Sequence, residues 1–226
     1  MPELWLVRHA QASFGAADYD KLSDLGHAQS RALGAALADL GMRPGAVFIG
    51  AQRRHRETWE GMDEALGFGA PDDILHGFNE FDFSGLLEAR YRGHERPADL
   101  HSDRRRHFSA LRDTVLEWQR DEISGPPETY AVFAGRVRDA RARAMAPALG
   151  DPSIGPVLVV TSGGAIGQTV AEVMGAPADA MIRLQLQIKN CSVTRMIISP
   201  RSAHLSTFNE TPHITGENAD RLLTYS

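Results

Sequence analysis

The chain has 226 residues, 42% apolar and 23% charged, an ordinary globular balance and enough length to bury a sizeable core. Lysine and arginine total 24 against 29 aspartates and glutamates, and the net charge of -5 gives no surface excess of positive charge, so neither a nucleic-acid nor a membrane partner is expected. The one cysteine, Cys191, excludes an intrachain disulfide and a cysteine-based zinc site, and it suits a reducing compartment, so a soluble cytoplasmic protein is expected.

The first element is a short apolar run, "LWLV" at 4–7, the pattern of a strand buried on both faces. It ends in Arg8 and His9. The N-terminus does not read as a secretory signal, because Glu3 stands where positive charge belongs and Arg8 cuts the run short. A helix follows in "LSDLGHAQSRALGAALADLG". Ser23 is its N-cap, Leu25, Ala28, Ala32, Leu33, Ala36, Leu37 and Leu40 form its apolar stripe, and Gly41 stops it. "AVFIG" at 46–50 reads as a second strand and residues 52–66 as a helix. Residues 71–85 read as an irregular connection holding a short strand.

Residues 86–120 read as helical and heavily charged, "SGPPE" at 124–128 as a break, and residues 130–149 as another helix. "PVLVVTSGGAIGQTVAEVMG" is strand, glycine turn and helix. Its apolar strand, 157–160, is far too short to cross a bilayer. "NCSVTRMIIS" and "AHLSTFNE" read as two strands joined at Pro200 and Arg201. Alternating strands and helices predict a three-layer α/β/α fold with a mostly parallel central sheet. The chain reads as one domain over 1–226, with a helical cap insertion at roughly 84–148. No repeat or low-complexity tract interrupts it.

In open sheets of this kind ligands bind beyond the carboxyl ends of the strands. Three such ends carry chemistry: Arg8, His9 and Gln11; Arg53, Arg54 and His55; Thr161, Ser162, Gly163 and Gly164. If they point the same way, two arginines, a histidine and the N-terminus of a helix converge. Guanidinium and free backbone N–H groups suit a phosphoryl dianion, and a neutral imidazole can attack its phosphorus.

Those residues carry a resemblance. "LVRHAQAS" resembles the Arg-His-Gly signature of the histidine phosphatase superfamily, the phosphoglycerate mutase-like fold. "LSDLGHAQS" is similar to that family's Leu-Thr-x-x-Gly-x-x-Gln-Ala element. "RRHRET" resembles its Arg-Ala-x-x-Thr helix start, with Arg54 and Thr58 on the matching positions. "VVTSGGAIG" resembles its apolar strand and His-Gly-Gly, and "FNETPHI" its late Asn-x-x-x-His. The matches run in order from residue 4 to about 214.

The resemblance implies a phosphatase acting on phosphate monoesters of a small molecule or peptide. His9 would take the phosphoryl group as a phosphohistidine, which water then hydrolyses. Arg8 and Arg54 would clamp its oxygens with Ser162 and Gly163, and Glu80, with Asp82 behind it, would protonate the leaving oxygen. The spacing of two puts both carboxylates on one side of an extended segment. No cofactor and no metal are expected: there is no His-Glu-x-x-His, Walker A loop or dinucleotide fingerprint.

Two positions depart from the family. Ala10 replaces a glycine, and alanine is strained there if φ is positive. Ser162 replaces the second histidine, exchanging a charged donor for a neutral one, with His55 and His213 as candidate substitutes. Three other readings stay open, the first of them favoured by these departures. One is a weak or inactive phosphate-binding module, another a mutase, and the third a hydrolase using Ser162 with His9 or His213 as base. The arginines at 104–106 and 136–143 read as solvated helix faces or as receivers of a negative substrate. Arg53 reads as a surface residue and Cys191 as buried and inert. The substrate and the oligomeric state are not legible.

Overall fold

A computed structural model describes residues 1–13, 20–94 and 104–225, with Arg104 and Arg105 described by backbone alone. Six strands form one sheet in the order β3-β2-β4-β1-β5-β6. They are β1 (Glu3–Arg8), β2 (Ala46–Ile49), β3 (Asp73–Ile74), β4 (Val157–Thr161), β5 (Val193–Ile198) and β6 (Ala203–Glu210). β1, β2, β3 and β4 run parallel, and β5 is antiparallel to both of its neighbours. The sheet is therefore mostly parallel, and the ends of β1, β2 and β4 do point the same way. Arg8 pairs with Thr161 and Ile49 with Val160, so His9, Gly50 and Ser162 leave the sheet side by side.

Alternation along the central strands builds two cores. Leu4, Leu6, Phe48, Val157 and Val159 face one layer, with Phe133 and Val137 of α5 (Tyr130–Gly150) and Ile166 and Val170 of α6 (Gly163–Val173). Trp5, Val7, Val47, Ile49, Leu158 and Val160 face the other, with Leu33 and Leu37 of α1 (Asp24–Asp39) and Trp59 and Met62 of α2 (Arg53–Leu66). Fully burying a side chain such as Phe133 contributes about 1.5–3 kcal/mol.

Ser23 caps α1 by accepting from the Gly26 N–H, and Gly41 ends it at φ 75°. The buried face of α1 differs from the apolar stripe expected. It holds Gly26, Gln29, Ser30, Leu33, Gly34 and Leu37, whereas Leu40 is 69% exposed. The reason is close approach to α2. A Cβ on Gly34 would lie 2.3 Å from the Met62 carbonyl oxygen, and one on Gly61 would lie 2.1 Å from Ser30 Oγ. Small residues, not large apolar ones, set this crossing.

The stretch 84–148 is woven into the fold. The helix expected over 86–120 is two helices, α3 (Phe83–Arg90) and α4 (Arg104–Gln119), and 95–103 lie outside the described residues. α3 and α4 pack on each other, and Val115 and Trp118 of α4 reach the same core as α5. α5 lies on the sheet itself, in the same helical layer as α6. Two short helices, α7 (Ala180–Gln185) and α8 (Ala219–Leu222), complete the described chain, and none of its helices is long and apolar enough to cross a membrane.

Candidate active site

His9 leaves β1 held on several sides. Its N–H donates to the Thr161 carbonyl at 2.8 Å, and its carbonyl accepts from Asn190 Nδ2 at 3.1 Å. Its Nδ1 stands 2.7 Å from the Ala10 carbonyl oxygen. A carbonyl only accepts, so Nδ1 carries the ring proton and Nε2 keeps a free lone pair. Burial, then Arg54, Arg8 and His55, hold the imidazole pKa well below its usual value, so the ring is neutral near pH 7. Ala10 is fully buried, and its N–H donates to Thr58 Oγ1 at 2.9 Å. The described non-glycine residues with positive φ are Asp121, Cys191 and Asn209, so alanine at position 10 carries no such strain.

Arg8, at the end of β1, donates through Nη1 to the Ile188 carbonyl, and the guanidinium lies beside Gly163. The loop behind it is fixed by Asn209, which accepts from the Lys189 N–H and donates to the Gln187 carbonyl. Arg54, in the first turn of α2, is 5% exposed. Its Nη1 donates to Asp20 at 2.8 Å, and its Nη2 to Gln52 Oε1 at 2.9 Å and Ser162 Oγ at 3.4 Å. One turn on, Thr58 donates back to the Arg54 carbonyl at 2.7 Å, so one residue ties α2 to the loop after His9. Arg53 points away and pairs with Glu57. Gln11 also serves structure, accepting from Ser23 Oγ and donating its N–H to Gln29.

The two candidate acids separate. Glu80 accepts from the Gly164 N–H at 2.9 Å, at the N-terminus of α6, and from Gln185 Nε2 at 3.4 Å. Burial outweighs the Gly164 N–H and both arginines and raises its pKa above the usual value, which favours the proton-bearing form an acid needs. Asp82 is exposed and caps α3 by accepting from Gly85. The expectation that both face one side fails, because the chain turns into α3 there instead of remaining extended. The Gly164 N–H, expected to face an anion, holds Glu80, and a Cβ on Gly164 would stand 2.1 Å from Glu80 Oε1.

Arg136 corrects the reading of its helix as a solvated face. Clamped by Glu128, it donates to the Gly77 and Asn79 carbonyls at 2.9 and 2.7 Å and so fixes the turn that delivers Glu80. Thr161 secures the same turn through the Phe78 carbonyl. Arg138 and Arg141 pair with Glu172, and Arg143 with Asp73. Among 104–106, only the side chain of Arg106 is described, and it is exposed.

Ser162 is fully buried at the N-cap of α6. The imidazole beside it is that of His55, with Nε2 at 2.7 Å from Oγ, and not that of His9 or His213. His213 is 95% buried after β6, and neither ring nitrogen has a hydrogen-bond partner among the described residues. Its pKa is lowered by burial to about 4, so it stays neutral. Cys191 is buried, and burial raises its thiol pKa, so it is inert. Among the described residues no three His, Cys, Asp or Glu side chains group as metal ligands do.

Four contributors escaped the sequence reading. Gln52 joins Arg54, Ser162 and the Glu80 N–H on one amide oxygen, and its place before the arginine pair was the signal for it. Asp20, Asn190 and Gln185 had no local signal. Asp20 and Asn190 arrive from connecting turns and Gln185 from α7, segments remote from one another in sequence.

The Arg8, His9, Arg54 and Glu80 arrangement can bind and attack a phosphoryl group. The fold recurs in known proteins. The chain is 27% identical to a probable phosphoglycerate mutase GpmB of Klebsiella pneumoniae (strain 342) over 205 residues, 87% of this chain and 85% of that protein. It superposes on the alpha-ribazole phosphatase of Shigella flexneri with a TM-score of 0.64 at 22% identity, covering 92% of this chain and 96% of that one. It superposes on a mycobacterial glucosyl-3-phosphoglycerate phosphatase in complex with inorganic phosphate with a TM-score of 0.66 at 20% identity, covering 94% and 99%. The family model for the histidine phosphatase superfamily (branch 1) matches residues 4–211, and the chain belongs to that superfamily.

Proposed function

We propose that the protein hydrolyses phosphate monoesters through a phosphohistidine on His9. The observation that carries this reading is the free lone pair of His9 Nε2 in a buried, neutral ring flanked by Arg8 and Arg54. Nε2 attacks phosphorus in line, and the bond to the ester oxygen breaks. The oxygen leaves with the proton of Glu80. Water then attacks the phosphohistidine, gives its proton to the Glu80 carboxylate, and returns the lone pair to Nε2. Arg8 and Arg54 hold charge on the phosphoryl oxygens throughout.

The substrate is a small phosphorylated molecule or peptide, and the net charge of -5 disfavours nucleic-acid or membrane partners. The chain acts as one unit over 1–226, in the cytoplasm, where its single buried cysteine is suited. Turnover of an artificial phosphate ester, abolished in His9→Ala together with acid-labile phosphate incorporation, tests the proposal. A His9→Ala protein that keeps most of its rate would overturn it. Phosphate binding without turnover would mark a binding module. The name of the Klebsiella relative supports mutase activity as a second reading. It predicts transfer to an added acceptor instead of release of inorganic phosphate.

A further inference from the structure

We propose that His55 is a positioning residue that acts through Ser162: it donates Nε2–H to Ser162 Oγ and so turns the hydroxyl proton toward the phosphoryl group on His9. The inference rests on the phosphoryl-transfer reading of the site. It begins with the lone pairs of one oxygen. Ser162 Oγ has one proton to give and two lone pairs to receive with. Arg54 Nη2 donates to it at 3.4 Å, and His55 Nε2 lies 2.7 Å away. With both nitrogens donating, the lone pairs are filled and the hydroxyl proton must point elsewhere. The acceptor already there, Gln52 Oε1, is 3.5 Å distant and receives two closer bonds, from Arg54 Nη2 and the Glu80 N–H, both at 2.9 Å. A charged phosphoryl oxygen is a far stronger acceptor for that proton.

The other face of His55 supports the same proton placement. Nδ1 faces the Gly50 backbone, which favours the protonated ring but makes no bond of hydrogen-bond geometry with it, whereas a proton on Nε2 meets Ser162 Oγ at 2.7 Å. The end of β2 is built around the ring. A Cβ on Gly50 would stand 2.2 Å from His55 Nδ1, so only glycine leaves room. Burial and Arg54 hold the imidazole neutral, which leaves the one ring proton this role requires. The ring lies 5.7 Å from that of His9, centroid to centroid. Against the family motifs the two positions are exchanged: histidine for alanine at 55, serine for histidine at 162. The imidazole has moved from β4 to α2 and reaches the pocket through a hydroxyl.

The test compares Ser162→Ala, His55→Met, the double variant and His55→Gln, by kcat and KM on one phosphate monoester and by the Kd for orthovanadate. Glutamine places an amide N–H the same number of bonds from Cα as His55 Nε2. Ser162→Ala and His55→Met should each lower kcat about 10²–10³-fold, the loss of one preorganised donor, with smaller changes in KM. The double variant should be no slower than Ser162→Ala, and His55→Gln should keep most of the wild-type rate. Multiplying losses in the double variant, or full activity in His55→Met, would overturn the proposal. If His55→Met does not fold, His55→Gln decides: a wild-type rate supports the relay and the Ser162→Ala rate refutes it. An inactive wild type, or an active His9→Ala, would sink the hydrolase reading alone. The same pattern among the vanadate Kd values would then still decide the role of His55.

Discussion

Arg54 and Arg53 are neighbours on one helix and should behave as opposites. Arg54 lies buried with its guanidinium shared among Asp20, Gln52 and Ser162. Arg53 is 41% exposed at its side chain and pairs one turn along with Glu57. Removing a charged donor from an ionised ligand costs about 1.5–3 kcal/mol, and each 1.4 kcal/mol is a tenfold change, so Arg54→Ala should weaken orthovanadate or phosphate binding about 10–150-fold. Asp20 loses its partner in the same variant, but it is 35% exposed, and water can replace much of that pairing. The Arg53 guanidinium is committed to Glu57, so Arg53→Ala should change Kd less than about threefold. Calorimetric titration of both variants at one fixed salt concentration measures the difference. Equal effects would refute the assignment of Arg54 to the pocket and, with it, the register of α2 against the strand ends.

Glu80→Gln should slow formation of the phosphohistidine from alkyl phosphates about 10²–10⁴-fold while sparing the nitrophenolate burst from nitrophenyl phosphate, whose phenolate leaves without an acid. Because the Glu80 pKa is raised, its protonated form should set the alkaline limb of the rate profile, and that limb should vanish in the variant. Its stabilising contribution is complete below the unfolded carboxyl range and is lost as pH rises through the folded value. The Tm of Glu80→Gln should therefore gain on wild type as pH increases, and a constant difference would count against the raised pKa. Thr58→Val strands the buried Ala10 N–H and should cost about 1–3 kcal/mol, read in urea unfolding. Gly34→Ala drives a methyl into the Met62 carbonyl, and at about 1–3 kcal/mol of overpacking its Tm should fall. An unchanged Tm would mean that α1 and α2 do not meet there.

Local pattern alone announced the alternating strands and helices, the Ser23 cap, the stop at Gly41 and the residues at three strand ends. These follow from neighbours in the chain. Strand burial shows as an apolar run, a cap as one side chain on a nearby N–H, and a strand end as the first charge after the run. That such ends converge is a rule of parallel sheets, so Arg8, His9 and the arginine pair at 53 and 54 could be brought together without coordinates, and the family resemblance singled out Arg54.

What lay beyond sequence was set by contacts between distant segments. The stripe on α1 misled at Leu40 because the helix crossing is governed by how closely Gly34 and Gly61 allow two backbones to approach. Glu80 and Asp82 could not be told apart, since a turn held by Arg136 and Thr161 ends the alternation that a spacing of two assumes. The partner of Ser162 was undecidable for the same reason. His55 and Ser162 are 107 positions apart, and only the parallel register of β2 with β4 brings Nε2 to 2.7 Å from the hydroxyl. Sequence carries the chemical types, but hydrogen-bond distance is a property of two segments at once, and only the folded sheet fixes it.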